Sequence, residues 1–98
     1  SAEAGLRDAR LAARQSLTDG LGAYRAAAYR VASQVAAVGA AEEDLRVVSQ
    51  RYAVGGSTLL DVLASQTQLD QARRDLIRAR HDQRMAKAQL EALVGREL

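Results

Sequence analysis

Large residues recur along the first half of the chain at seven-residue intervals: Leu17, Tyr24, Val31, Val38, Leu45 and Tyr52. Three positions after each stand Gly20, Ala27, Gln34, Ala41, Val48 and Gly55, and Ala13 and Leu6 carry this second row backwards. The second half repeats the design, with Val62, Leu69, Leu76, Gln83 and Leu90 in one row and Ser65, Ala72, Ala79, Ala86 and Leu93 in the other. Such spacing places both rows on one face of an α-helix and argues for a coiled-coil seam. One row is large and the other mostly small, so two helices can approach closely. Alanine buries far less apolar area than leucine, so the pair is marginal alone and calls for neighbours.

The pattern predicts an all-α fold, a long antiparallel two-helix hairpin spanning residues 1–98. The first helix is expected over residues 3–53, about 75 Å at about 1.5 Å per residue, and the second over 58–94, about 55 Å. Residues 54–57 form the tip. The arms are unequal, so residues before Ser16, which include Leu6, Leu11 and Ala13, overhang. They either fray or pack on another copy or on a further part of a longer protein. Gly20, Gly22 and Gly39 fall inside the first helix, each costing about 1 kcal/mol relative to alanine. They read either as glycines on a close-packed face or as a bend near Gly20-Leu21-Gly22.

The turn is well marked. Gly55 can take a positive φ and end the first helix. Ser57 or Thr58 can cap the second, with Asp61 three residues after Thr58 as in a capping box. Asp61 also sits near the positive end of the helix dipole. Gly95 reads as a stop after Leu93-Val94.

Composition sharpens this picture. The 98 residues bound the chain to one domain, and it holds no proline, cysteine, tryptophan or phenylalanine. Absence of proline permits long uninterrupted helices. With three tyrosines as the aromatics, there is no bulky globular core to build. The net charge is +2, with acids interleaved among bases, which reads as a solvated helix surface. No apolar run is long enough for a transmembrane helix, and no signal-peptide pattern is expected in these residues. The abrupt opening Ser1-Ala2-Glu3, already in a helical pattern, suggests a piece of a longer protein.

Catalytic chemistry finds little support. His81 is the sole histidine and lies among Arg78, Arg80, Asp82 and Arg84 on an expected solvated face. Glu42-Glu43-Asp44 is the acidic cluster, but adjacent helical residues point in different directions and do not converge on a metal. No phosphate-loop pattern surrounds the glycine pair. Arg73, Arg74, Arg78, Arg80, Arg84 and Lys87 could form a nucleic-acid stripe, but Asp70, Asp75 and Asp82 among them read as surface pairing along the helix. No cofactor, metal or nucleic acid is therefore expected. Two features remain: the seams, and a tip where Val54, Leu59 and Leu60 stand beside glycine. Those residues either staple the hairpin end or form a docking surface.

The stretch Arg51-Tyr52-x-x-Gly55-x-x-x-x-Leu60-Asp61-Val62-Leu63-x-x-Gln66-x-x-Leu69-x-x-Ala72-Arg73-x-x-Leu76-x-x-Ala79 resembles the TolC-like outer-membrane factors. In that family the corresponding stretch reads R-Y-x-x-G-x-x-x-x-L-D-V-L-x-A-Q-x-x-L-x-x-A. Here Ala64-Ser65-Gln66 replaces the usual x-Ala-Gln, a small-residue change. The ending Leu90-x-x-Leu93-Val94-Gly95 is similar to the family's L-x-x-L-x-G. The specific likeness covers residues 48–95, and the first helix matches in pattern alone.

The resemblance implies a trimeric channel of an efflux or secretion system, with an outer-membrane β-barrel and an α-helical barrel across the periplasm. The chain would be a periplasmic hairpin cut from that α-barrel, without the β-barrel. Its tip, Val54, Gly55, Gly56, Ser57, Leu59 and Leu60, would dock onto the hairpin of a periplasmic adaptor protein. Val54-Gly55 would match the family's Val-Gly-Leu tip, with Leu59 or Leu60 as the apolar partner. Further partners would be the other hairpins of the homotrimer, and the separated hairpin has faces suited to self-association, for instance as a four-helix dimer. The alternative is the coiled-coil hairpin of the adaptor itself. A helical enzyme or RNA-binding bundle is a third reading, which a catalytic dyad or salt-sensitive RNA affinity would support; the sequence offers neither.

Overall fold

A computed structural model describes residues 2–97, with side chains described for residues 2–95. Two helices make up the fold: α1, Ala2–Ala53, and α2, Leu59–Glu97. They pack against each other along a rod of 79 × 16 × 15 Å. No strand occurs among the described residues. The chain is an all-helical hairpin.

The heptad rows explain the packing. Leu17, Tyr24, Val31, Val38 and Leu45 on α1 are half-buried, as are Val62, Leu76, Gln83 and Leu90 on α2, and Leu69 is buried. From the small-residue row, Ala27, Ser65 and Ala79 are buried. Gly20, Gln34, Ala41 and Val48 are half-buried, as are Ala72, Ala86 and Leu93. Tyr52 lies at the tip end of its row and is exposed. No large side chain is completely buried among the described residues. A two-helix seam has water on both flanks, so even its inward residues keep an exposed edge.

Neither glycine Gly20 nor Gly22 breaks α1, which runs through both. Gly20 faces α2, and a Cβ there would lie 2.9 Å from Leu93 Cδ1 and 3.6 Å from Leu90 Cδ1. Gly20 is thus a close-approach position, while Gly22 and Gly39 face open space. The expected stop at Gly95 is not observed: α2 continues to Glu97. Glycine lowers helix propensity without removing the backbone N–H, so one glycine near an end does not terminate a helix by itself. Toward its N-terminus α1 keeps Ala13 half-buried, while Leu6 and Leu11 are exposed.

The surface is lightly paired. Glu43 accepts two bonds from Arg46, one of them from Nε at 3.0 Å. Arg73 and Glu42 approach to 4.0 Å across the two helices. The pairing expected of Asp70, Asp75 and Asp82 with the α2 arginines does not form among the described residues. Asp75 accepts a bond from Gln71 at 3.0 Å, and Arg74 donates to Gln71 at 3.4 Å. Long exposed side chains lose rotamer entropy on pairing, which offsets the weak attraction in water.

Candidate docking tip and helix seam

The tip is built from two capping motifs back to back. Gly55 has φ +81°, the left-handed conformation that glycine adopts without strain. It closes α1 in a Schellman arrangement: Gly56 N–H donates to Arg51 O at 2.7 Å and Gly55 N–H to Tyr52 O at 3.1 Å. Thr58 then opens α2. Its N–H donates to Asp61 Oδ2 at 3.1 Å, and Asp61 N–H donates back to Thr58 Oγ1 at 3.2 Å. Thr58 rather than Ser57 is the cap, and Ser57 is half-buried instead.

These caps satisfy the helix ends without help from apolar side chains. Val54 is 84% exposed and Leu60 75% exposed, and Leu59 and Leu63 are also open. The leucines therefore do not staple the hairpin end. They leave an apolar cluster in water beside Gly55 and Gly56, where the backbone is uncovered on the side of Gly55. Exposed apolar clusters of this kind are a common feature of interaction sites.

Just behind the tip, on one flank of the seam, a groove of about 490 Å³ runs between the helices. Asp44 and Arg51 of α1 line it, with Asp61, Ser65 and Gln68 of α2. Ser65 Oγ is buried at this level and has no hydrogen-bond partner. The heptad pattern marked Ser65 as a small seam residue, but no feature of the sequence signals that its hydroxyl lacks a partner.

The predicted site residues thus fall into two groups. Val54, Gly55, Gly56, Ser57, Leu59 and Leu60 come together at the tip. The seam residues Leu17, Tyr24, Val31, Val38, Leu45, Val62, Leu69, Leu76 and Leu90 all turn inward, and Tyr52 belongs more to the tip than to the seam. His81 is exposed on α2. Among the described residues no group of His, Cys, Asp or Glu is placed to hold a metal ion, and no helix is long and apolar enough to cross a membrane.

Electrostatics adds one local effect. The hydrogen bond from Arg46 holds the Glu43 carboxyl below the usual glutamate range; desolvation opposes it, and the Arg46 charge adds a lesser lowering. The same bond, with the Glu43 charge, raises Arg46.

The described residues form a long two-helix rod with a capped turn and an exposed apolar tip. The family model described as "Outer membrane efflux protein" matches residues 1–96, and the chain belongs to that family. It is a component of an outer-membrane efflux channel, a family of transport proteins rather than enzymes. No curated protein and no solved structure matches the chain.

Proposed function

We propose that this hairpin forms part of the periplasmic α-helical wall of a trimeric outer-membrane channel, and that its tip docks onto the hairpin of a periplasmic adaptor protein. The observation that carries the reading is the exposure of Val54, Leu59 and Leu60 beside Gly55 and Gly56, on a turn whose backbone is already satisfied by its own caps. Residues that have no part in closing the turn are free to meet a partner. The thin, alanine-rich seam supports the wall role: two helices alone bury little, and neighbouring hairpins would cover the rest. The exposed middle of α1, with Leu21, Tyr29 and Val35, fits such neighbours.

The test uses the absence of cysteine from the chain. Ser57→Cys is placed in the channel in a background without other reactive cysteines, with Ser16→Cys as control, and short-range crosslinking is run in the periplasm. A product specific to Ser57→Cys that contains the adaptor supports docking at the tip. No such product, with channel and adaptor both assembled, overturns it.

A further inference from the structure

The end of the rod opposite the tip carries arginines that the seam does not use. The row of large residues Leu17, Tyr24 and Val31 continues backwards, at the same seven-residue spacing, to Arg10. Leu93 lies against Gly20 and α2 ends one turn further on at Glu97, so no described part of α2 runs alongside Arg10. Arg7 stands three residues before it and Arg14 four after, so the three side chains rise from one face of α1. With Leu11 they line a recess of about 220 Å³. All three are exposed and lie beyond the first turn of the helix.

No acid neutralises this cluster among the described residues. None of the three arginines makes a hydrogen bond or ion pair there. Glu3 stands four residues before Arg7, at the spacing of a helical ion pair, and no such pair forms. Asp8 does not line the recess. Like charges three and four residues apart destabilise a helix, so a bound anion would relieve the repulsion.

The donors select the anion. Each guanidinium offers several N–H groups in a planar fork. Three of them around one recess exceed what a carboxylate, with two oxygens and one charge, takes up. A phosphate group presents more oxygens and a larger charge, and arginine matches its geometry bidentately. Nucleic acid fits poorly, because bases need aromatic platforms and the nearest tyrosine in the sequence is Tyr24.

We infer that Arg7, Arg10 and Arg14 form a binding site for a phosphate group, with Leu11 as its apolar wall. The phosphate belongs either to a soluble ion or ester or to the headgroup of an anionic phospholipid. The apolar part of such a lipid would meet Leu6 and Leu11, which are 55% and 63% exposed. The site lies at the far end of the rod from residues 54–60 and does not rest on the docking reading.

Two arms test it on the 98-residue chain. In the first, inorganic phosphate is titrated at constant ionic strength and followed by backbone amide NMR. Saturable shifts centred on residues 7–14 are expected. Arg10→Gln should weaken the affinity about tenfold with helicity retained, the value of one charge-assisted contact. Arg80→Gln, at an exposed arginine on the other helix, should leave it unchanged. In the second arm the chain is sedimented with phosphatidylcholine vesicles, with and without phosphatidylglycerol. Sedimentation that needs phosphatidylglycerol and is lost in Arg10→Gln supports the site and assigns its phosphate to a lipid headgroup. Saturation by inorganic phosphate without vesicle binding supports the site and assigns a soluble source. No saturation together with no vesicle binding overturns it, as does binding in either arm that Arg10→Gln leaves unchanged. Phosphate shifts spread equally over Arg73, Arg80 and Lys87 also overturn it, because they report a diffuse basic surface.

Discussion

Thr58 and Asp61 each bind the other's backbone amide, at 3.1 and 3.2 Å. The pair satisfies two donors at the start of α2, next to a glycine turn that satisfies carbonyls at the end of α1. The tip is held by backbone bonds and one short polar pair, and its apolar side chains are left over. Thr58→Ala should lower stability by about 1 kcal/mol, the usual value of an N-cap. Thermal unfolding checks the size. Amide exchange should place the loss in the first turn of α2; an unchanged exchange rate there would show that the cap is dispensable.

The glycines separate by environment. Gly22 and Gly39 face open space in α1, so replacement by alanine should raise stability by about 0.5–1 kcal/mol each. Gly20→Ala should gain less, because the new methyl meets Leu93 and that side chain must shift. Gly55→Ala should lose about 1–2 kcal/mol, since its φ of +81° strains any L side chain. Chemical denaturation of the four variants gives the order. A destabilised Gly22→Ala would mean that its face is covered in solution.

The seam should respond in opposite directions at two neighbouring positions. Leu69 is 3% exposed, and Leu69→Ala should remove about 2–4 kcal/mol, enough to unfold a hairpin this thin. Ser65→Ala should instead raise stability by about 1 kcal/mol, because it removes a hydroxyl with no partner and improves helix propensity. A lower melting temperature for Ser65→Ala would show that the hydroxyl is satisfied in solution.

Glu43 gives a pH dependence with a definite sign. Its pKa is depressed in the folded chain, so its contribution is present above the unfolded pKa and is lost as pH falls through the lower folded value. Both side chains are exposed, at 58% for Glu43 and 55% for Arg46, so the effect should be small and sensitive to salt. Helicity measured through the acid range should fall slightly more in the native chain than in Glu43→Gln. Identical curves would show that the bond does not persist in water.

How much of this could be read in advance follows from what periodicity carries. Heptad spacing decides which face of a helix turns inward, so Leu17 through Leu45 and Val62 through Leu90 were legible. The cap pair Thr58–Asp61 and the turn glycine Gly55 were legible because their spacing has few other uses. Periodicity says nothing about rotamers or unmet donors, so the unpartnered Ser65 hydroxyl and the bonding of Asp75 to Gln71 rather than to an arginine were not. Gly95 misled because the same residue serves as a stop or as a weak helical position, and local pattern does not separate them. The exposure of Val54 and Leu60 depended on whether the caps alone could close the turn, a question about three-dimensional bonding.

That exposure decides where docking is best tested. Substituting Gly55 mixes two effects, because the glycine ends α1 as well as uncovering the backbone. Val54 and Leu60 are not involved in the caps through their side chains and stand 84% and 75% exposed. Val54→Asp and Leu60→Asp should therefore leave helicity and melting temperature within about 0.5 kcal/mol of the parent chain, the range of a surface change. In the assembled channel each should weaken adaptor crosslinking at Ser57→Cys, because a carboxylate buried in an apolar contact without a partner is strongly unfavourable. Leu11→Asp, at an apolar position 63% exposed and far from the tip, is the control and should leave crosslinking unchanged. Full crosslinking in Val54→Asp and Leu60→Asp would separate the partner from the apolar cluster and leave the cluster as a surface for neighbouring hairpins.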